Sequence, residues 1–133
     1  IQVHRNSTTD YFHYLERAGL ILQLRVASSG IGAIRKVEKV FLENPNLMYA
    51  LSGSKTNIGN VRECFFYNQM KLNFEVFWTE KGNFKIEEYT FEIGGKQKKQ
   101  AQVADIKNAF IVKDDIEYGY VNVIPLWYFG MNY

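Results

Sequence analysis

The chain lacks most of what marks an exported, membrane-spanning or disordered protein. Its single cysteine, Cys64, excludes an internal disulfide and suits a reducing cytoplasm. Two prolines in 133 residues, with no low-complexity run, argue against disorder. No apolar stretch approaches the roughly eighteen residues that would cross a bilayer. The start, Ile1-Gln2-Val3-His4-Arg5, carries neither a signal-peptide pattern nor an initiator methionine, so a fragment of a longer protein is expected. A net charge of +2 is too small to mark the whole chain as a nucleic-acid binder, and only local basic clusters qualify. His4 and His13 have no metal partner at useful spacing, and Cys64 has no paired histidine. Nucleophilic triad chemistry therefore has no support. There is no G-x-x-x-x-G-K-[ST] loop, so this chain by itself does not bind ATP as a P-loop ATPase. Gly30-x-Gly32 lacks both the third glycine and the following helix of a nucleotide loop.

What is present suffices for a packed core: 47% hydrophobic and 16% aromatic residues, enough for one domain or one domain with a small attached piece. Ser7-Thr8-Thr9-Asp10 resembles a capping box opening a helix to about Ala18, with Gly19 as its C-cap and a strand over residues 20–24. Helix, glycine and strand in that order look like the second half of a winged helix-turn-helix. Tyr11, Tyr14, Leu15 and Leu20 would then need cover from a second copy, from absent residues or from the main domain. A connector over 26–36 leads to a strand near Val37 to Leu42, and Asn44-Pro45-Asn46 starts a short helix over 47–51. Ile58, Val61, Phe65 and Leu72 form the main stripe of a helix over 58–71, widened by Phe66 and Met70, with Glu63 on its flank. A strand over 73–78, two more over 83–87 and 89–94, a helix over 103–108, and strands over 109–112 and 118–123 complete the expectation.

The best candidate for chemistry lies in Tyr89-Thr90-Phe91-Glu92-Ile93-Gly94-Gly95-Lys96. Tyr89, Phe91 and Ile93 share one strand face, and Thr90 and Glu92 the other. A two-residue turn at Glu87-Glu88 would pair Phe84 with Phe91 and set Asn83 opposite Glu92, with Cβ atoms about 4.5–5.5 Å apart. Lys96, four residues on, returns to the carboxylate's face, and the two glycines permit close backbone approach or a bend. Plainer roles stand beside these. Glu92 could pair with Lys85 or Lys96, Glu63 with Arg62 or Lys71, and Lys96, Lys98 and Lys99 could form a solvated loop instead of a phosphate-backbone contact.

Four stretches carry a family resemblance: residues 37–51 around Asn44-Pro45-Asn46-Leu47-Met48-Tyr49, Asn57 through Phe66, Phe91-Glu92-Ile93-Gly94-Gly95-Lys96, and Ile124-Pro125-Leu126-Trp127-Tyr128-Phe129-Gly130. Together, in this order, they resemble the C-terminal, functionally uncharacterised domain of prokaryotic AAA-type ATPases. The resemblance implies residues 1–33 as a partial winged helix with linker, and 34–133 as a restriction-endonuclease-like α/β domain with the αβββαβ core of PD-(D/E)xK enzymes. It implies Glu63 as helix acid, Glu92 as strand acid, Lys96 as the cation, and Asn83 where relatives often carry aspartate. Glu63, Asn83 and Glu92 would be the ligands of Mg²⁺, which activates water for phosphodiester attack. Asn83 brings no charge, and Gly94 stands where the nuclease motif needs lysine. Two functions are therefore expected. One is a degenerate nuclease-like module that binds nucleic acid or a partner on behalf of the ATPase module of the same polypeptide; the other is a Mg²⁺-dependent nuclease.

Overall fold

The computed structural model describes residues 5–27, 36–99 and 103–131. The glycine connector around Gly30 and Gly32 lies outside them. The described chain is a mixed α/β structure built on one seven-stranded sheet. Its strands are β1 (Ile21–Val26), β2 (Val37–Leu42), β3 (Phe77–Trp78), β4 (Phe84–Ile86), β5 (Tyr89–Gly94), β6 (Ala109–Lys113) and β7 (Val123–Pro125), in the spatial order β2-β1-β3-β4-β5-β6-β7. The helices among the described residues are α1 (Arg5–Arg17), α2 (Pro45–Ser52) and α3 (Ile58–Met70), with 3₁₀ helices at Gly53–Lys55 and Leu126–Met131.

Local chemistry accounts for the helix ends. Gly19 adopts φ +69, and the Leu20 N–H donates back to the Leu15 carbonyl at 3.0 Å, so the chain turns directly out of α1 into β1. Asn44 caps α2 by accepting the Asn46 N–H at 2.9 Å, with Pro45 in the first turn where its missing donor costs nothing. Asn57 caps α3 through the Asn60 N–H at 3.1 Å.

The strands before and after the expected 33/34 boundary lie in one sheet, since β1 is hydrogen-bonded to β2 on one side and to β3 on the other. A strand with pairs on both edges belongs to the main sheet, whatever the helix before it resembles. Three sequence expectations are corrected. Residues 103–108 form turns, not a helix, so the sixth element of the αβββαβ order is reached through irregular chain. The last strand is Val123–Pro125 instead of 118–123, because Tyr120 and Val123 pair across a two-residue turn in which Val121 takes φ +52. Finally, the buried arc of α3 is Cys64, Phe66, Tyr67 and Met70, while Ile58 and Leu72 are exposed. That rotation puts Glu63 one turn ahead of Phe66 and Tyr67, on the arc that meets the sheet.

The register expected for the β4–β5 hairpin is the one observed: Phe84 pairs with Phe91 and Ile86 with Tyr89 across a turn at Glu87-Glu88. Phe84, Ile86, Phe91 and Ile93 are all buried beneath α3. Phe66 is the centre of that layer, with ring centroids 5.1 Å from Phe84, 5.2 Å from Phe91 and 4.8 Å from Phe129. Truncating a ring so enclosed costs about 3–5 kcal/mol.

The other sheet face is covered in two places. Val103 packs on Ala109, Ile111 and Val123, and α1 lies over β1. Glu16 anchors α1 by accepting from the Gln23 N–H at 3.1 Å, the Gln23 amide at 2.8 Å and Arg25 Nη2 at 3.1 Å. Tyr11, Tyr14, Leu15 and Leu20 stay exposed on the single chain. No helix among the described residues is long and apolar enough to cross a membrane.

Candidate functional site

Helix α3 delivers Glu63 to the end of the sheet. There its Oε2 accepts from Lys39 Nζ at 2.9 Å and its Oε1 from Asn83 Nδ2 at 3.1 Å. Lys39 reaches it because it shares a face with Phe41 on β2, the face that packs under α3. Asn83 stands one residue before β4. Its backbone N–H is shifted to the Phe91 carbonyl, and its side-chain Oδ1 accepts the Ile93 N–H at 2.6 Å. The amide thus substitutes for a missing ladder bond and ties the β4–β5 hairpin to Glu63.

Glu92 projects the other way. Its register partner on β6 is Ile111, and parallel partners share a face, so the carboxylate lies on the side of Val103 and Val123, away from α3. The side chain is 4% exposed and forms an ion pair with Lys98. The turn after β5 brings that lysine back, with the Lys98 N–H donating to the Gly95 carbonyl at 2.9 Å. The lysine stem crosses Gly94 so closely that an added Cβ would lie 2.7 Å from it. On the opposite side, a Cβ at Gly95 would meet the Arg62 guanidinium at 3.2 Å. Arg62 in turn donates from Nε to Asp114 at 2.8 Å and lies 3.6 Å from Asp115. Both glycines are therefore places of close approach, one on each face.

The expected site residues fall into separate groups. Glu63 and Asn83 are brought together. Glu92 is held on the reverse face, Lys96 and Lys99 are exposed, and Lys98 is folded inward. The expected pairing of Asn83 with Glu92 is not found: Asn83 lies just before β4, its N–H bonds to the Phe91 carbonyl, and its amide turns to Glu63 on the α3 side while the Glu92 carboxylate lies on the other. Among the described residues, no group of three or more histidine, cysteine, aspartate or glutamate side chains could hold a metal ion. A shared Mg²⁺ does not fit this arrangement, since each carboxylate has its own lysine and the sheet lies between them.

Sequence reasoning missed Lys39 and Lys98 as the partners of Glu63 and Glu92; Arg62, expected beside Glu63, pairs with Asp114, and Lys71 with Glu43. Lys98 lay in plain sight within the basic loop, but only the turn after Gly95 reveals which lysine comes back. Two other buried groups are structural. Burial pushes the Cys64 thiol up to about 11, helped by the Glu43 charge and opposed by Lys71, while its Sγ donates to the Leu42 carbonyl at 3.1 Å. Burial likewise raises the Tyr67 hydroxyl to about 12, with Glu16 adding to the shift and Arg25 opposing it; the hydroxyl donates to the Gln23 carbonyl at 3.0 Å.

Comparison with protein-family models, curated proteins and solved structures finds no match.

Proposed function

We propose that this chain is a nuclease-like accessory domain that has kept the acids of a metal site but uses its surface for binding, on behalf of an AAA-type ATPase module in the same, cytoplasmic, polypeptide. The sequence resemblance supplies the family. The observation that carries the choice of binding over hydrolysis is the placement of Glu63 and Glu92. They lie on opposite sides of the sheet, Glu63 on α3 and Glu92 on β5, and each is paired with a separate lysine, Lys39 and Lys98. Two-carboxylate Mg²⁺ chemistry needs both oxygens at one point, with substrate phosphate completing the shell.

A protein partner suits the surface better than nucleic acid. Of the three basic-loop lysines, Lys98 is spent on Glu92, which leaves Lys96 and Lys99 exposed. Two phosphate contacts give weak, salt-sensitive affinity. The test is direct. Calorimetry with Mg²⁺ and Mn²⁺, and a plasmid-nicking assay, are run on the wild type and on Glu92→Gln and Glu63→Gln. Absent nicking and no metal heat are expected throughout. Robust wild-type nicking lost in Glu92→Gln would establish the nuclease reading instead.

A further inference from the structure

The loop between β6 and β7 and the 3₁₀ helix Leu126–Met131 form a groove of about 570 Å³, lined by Asp114, Asp115, Ile116, Glu117, Tyr118 and Trp127. The geometry points to this groove as the docking site for an arginine-bearing segment of a protein partner. This extends the binding-module reading and rests on it for biological role, though its chemistry stands separately.

The walls are built into the core. On one side, Asp114 is clamped by Arg62 at 2.8 Å and Ile116 packs on the Val103 cluster. On the other, Leu126 is buried under α3 and Phe129 lies edge-on to Phe66, so the 3₁₀ helix is pinned and Trp127 is turned outward. Trp127 is 53% exposed and held edge-on against Tyr128 at 4.4 Å, and Tyr118 is 77% exposed. Large aromatics presented so openly from anchored backbone are what interface hot spots are made of.

Charge selects the occupant. Asp114 and Asp115 share one guanidinium, and Glu117 is exposed with no ion pair among the described residues. The groove is therefore net acidic on a chain whose total charge is +2. The overall field does not draw cations here; the local one does. An arginine fits both features at once, because its guanidinium stacks on an indole face and forks to a carboxylate, which a lysine ammonium cannot do as well. A phosphate backbone would meet repulsion.

The experiment uses fluorescence anisotropy of a labelled tetra-arginine amide, with the tetra-citrulline peptide as its neutral isostere. The arginine peptide should bind and the citrulline peptide should not. Glu117→Gln should weaken binding by about fivefold to tenfold, the worth of a charge-assisted contact. Trp127→Ala should weaken it by at least as much, with far-UV dichroism unchanged because the ring is half exposed. Trp127→Phe should restore part of the loss. Glu80→Gln, in a different cleft beside Lys81 and Lys85, should have no effect. Equal losses in Glu80→Gln and Glu117→Gln, indifference to Trp127→Ala, or no arginine binding at all would each overturn the assignment. Because the titration contains no metal and no DNA, it reads the same whether or not nicking is found.

Discussion

Asn83 Nδ2 donates to Glu63 Oε1 at 3.1 Å while its Oδ1 accepts the Ile93 N–H at 2.6 Å. One amide serves a helix carboxylate and a strand backbone together, a task that needs a donor on one side and an acceptor on the other. An aspartate can perform only half of it.

Asn83→Asp should therefore destabilise the chain by about 1–3 kcal/mol, since the donor to Glu63 is replaced by a second carboxylate. The corresponding fall in melting temperature, about 3 °C for each kcal/mol in a chain of this length, is measurable by scanning fluorimetry. Millimolar Mg²⁺ should recover part of the loss in the variant and leave the wild type unmoved. A variant as stable as wild type without metal would show that the amide is not needed there.

Glu92 and Lys98 should respond unequally to loss of their partner. Glu92 is 4% exposed and cannot reach water, whereas Lys98 is 30% exposed and can. Lys98→Met, which strands a buried carboxylate, should cost about 3 kcal/mol. Glu92→Gln should cost about 1 kcal/mol, because the amide is neutral and the freed lysine swings outward. Urea midpoints rank the two, and a reversed order would mean that the pair is more open to solvent than its burial indicates.

Acid should loosen α1. Partial burial pushes the Glu16 carboxyl upward, but hydrogen bonds from Arg25 and the Gln23 N–H, the Arg25 charge and the Gln23 amide together outweigh it, and the pKa is lowered. A lowered carboxyl contributes stability that is fully present above the unfolded value of about 4.3 and is lost as pH falls through the folded one. Ellipticity at the helix band should thus decline in acid for the wild type. In Glu16→Gln it should begin lower at neutral pH and show less acid dependence.

Two turns are built on unfavourable residues. Val121 is 99% exposed at φ +52, and Glu87 also takes φ +52 in the Glu87-Glu88 turn. A positive φ is costly for any residue with a Cβ and most of all for a β-branched one. Val121→Gly should raise stability by about 0.5–1 kcal/mol after the entropy cost of glycine is included. Chemical denaturation checks it, and a loss of stability would show that the valine makes a contact its exposure does not reveal.

The β4–β5 register was legible because Phe84, Ile86, Phe91 and Ile93 alternate strictly, and a one-residue slip would have turned all four to the wrong face. The helix start at Asn44-Pro45-Asn46 and the stop at Gly19 were legible because each is settled within a few residues, whereas α1 begins at Arg5, ahead of the capping box expected at Ser7 to Asp10. What escaped was non-local. Nothing in residues 21–26 reveals that their second neighbour lies fifty residues downstream at Phe77 and Trp78. The apolar pattern of α3 was read a fraction of a turn off because Ile58 and Leu72 are apolar yet exposed, which concealed that Glu63 faces the sheet. The site reading depended on which face each acid occupies. Strand alternation placed Glu92 away from Phe91, but only the packing of α3 shows that Glu63 lies on the side of Phe91.

The brevity of β3 has a consequence for cooperativity. Only the pairs Arg25–Phe77 and Val26–Trp78 join β1 to β3, and only Phe77–Lys85 and Trp78–Phe84 join β3 to β4. Hydrogen bonding alone would let the sheet part there into a β2–β1 lobe and a β4–β7 lobe. Three rings span the seam: Phe41 from the first lobe, Phe84 from the second with its centroid 6.3 Å away, and Tyr67 of α3 at 5.8 Å and 6.0 Å from them. With these rings across the seam, the two lobes are expected to melt as one unit. Phe41→Ala should split a single calorimetric transition into two, with the amides of β1 exchanging their hydrogens well before those of β5.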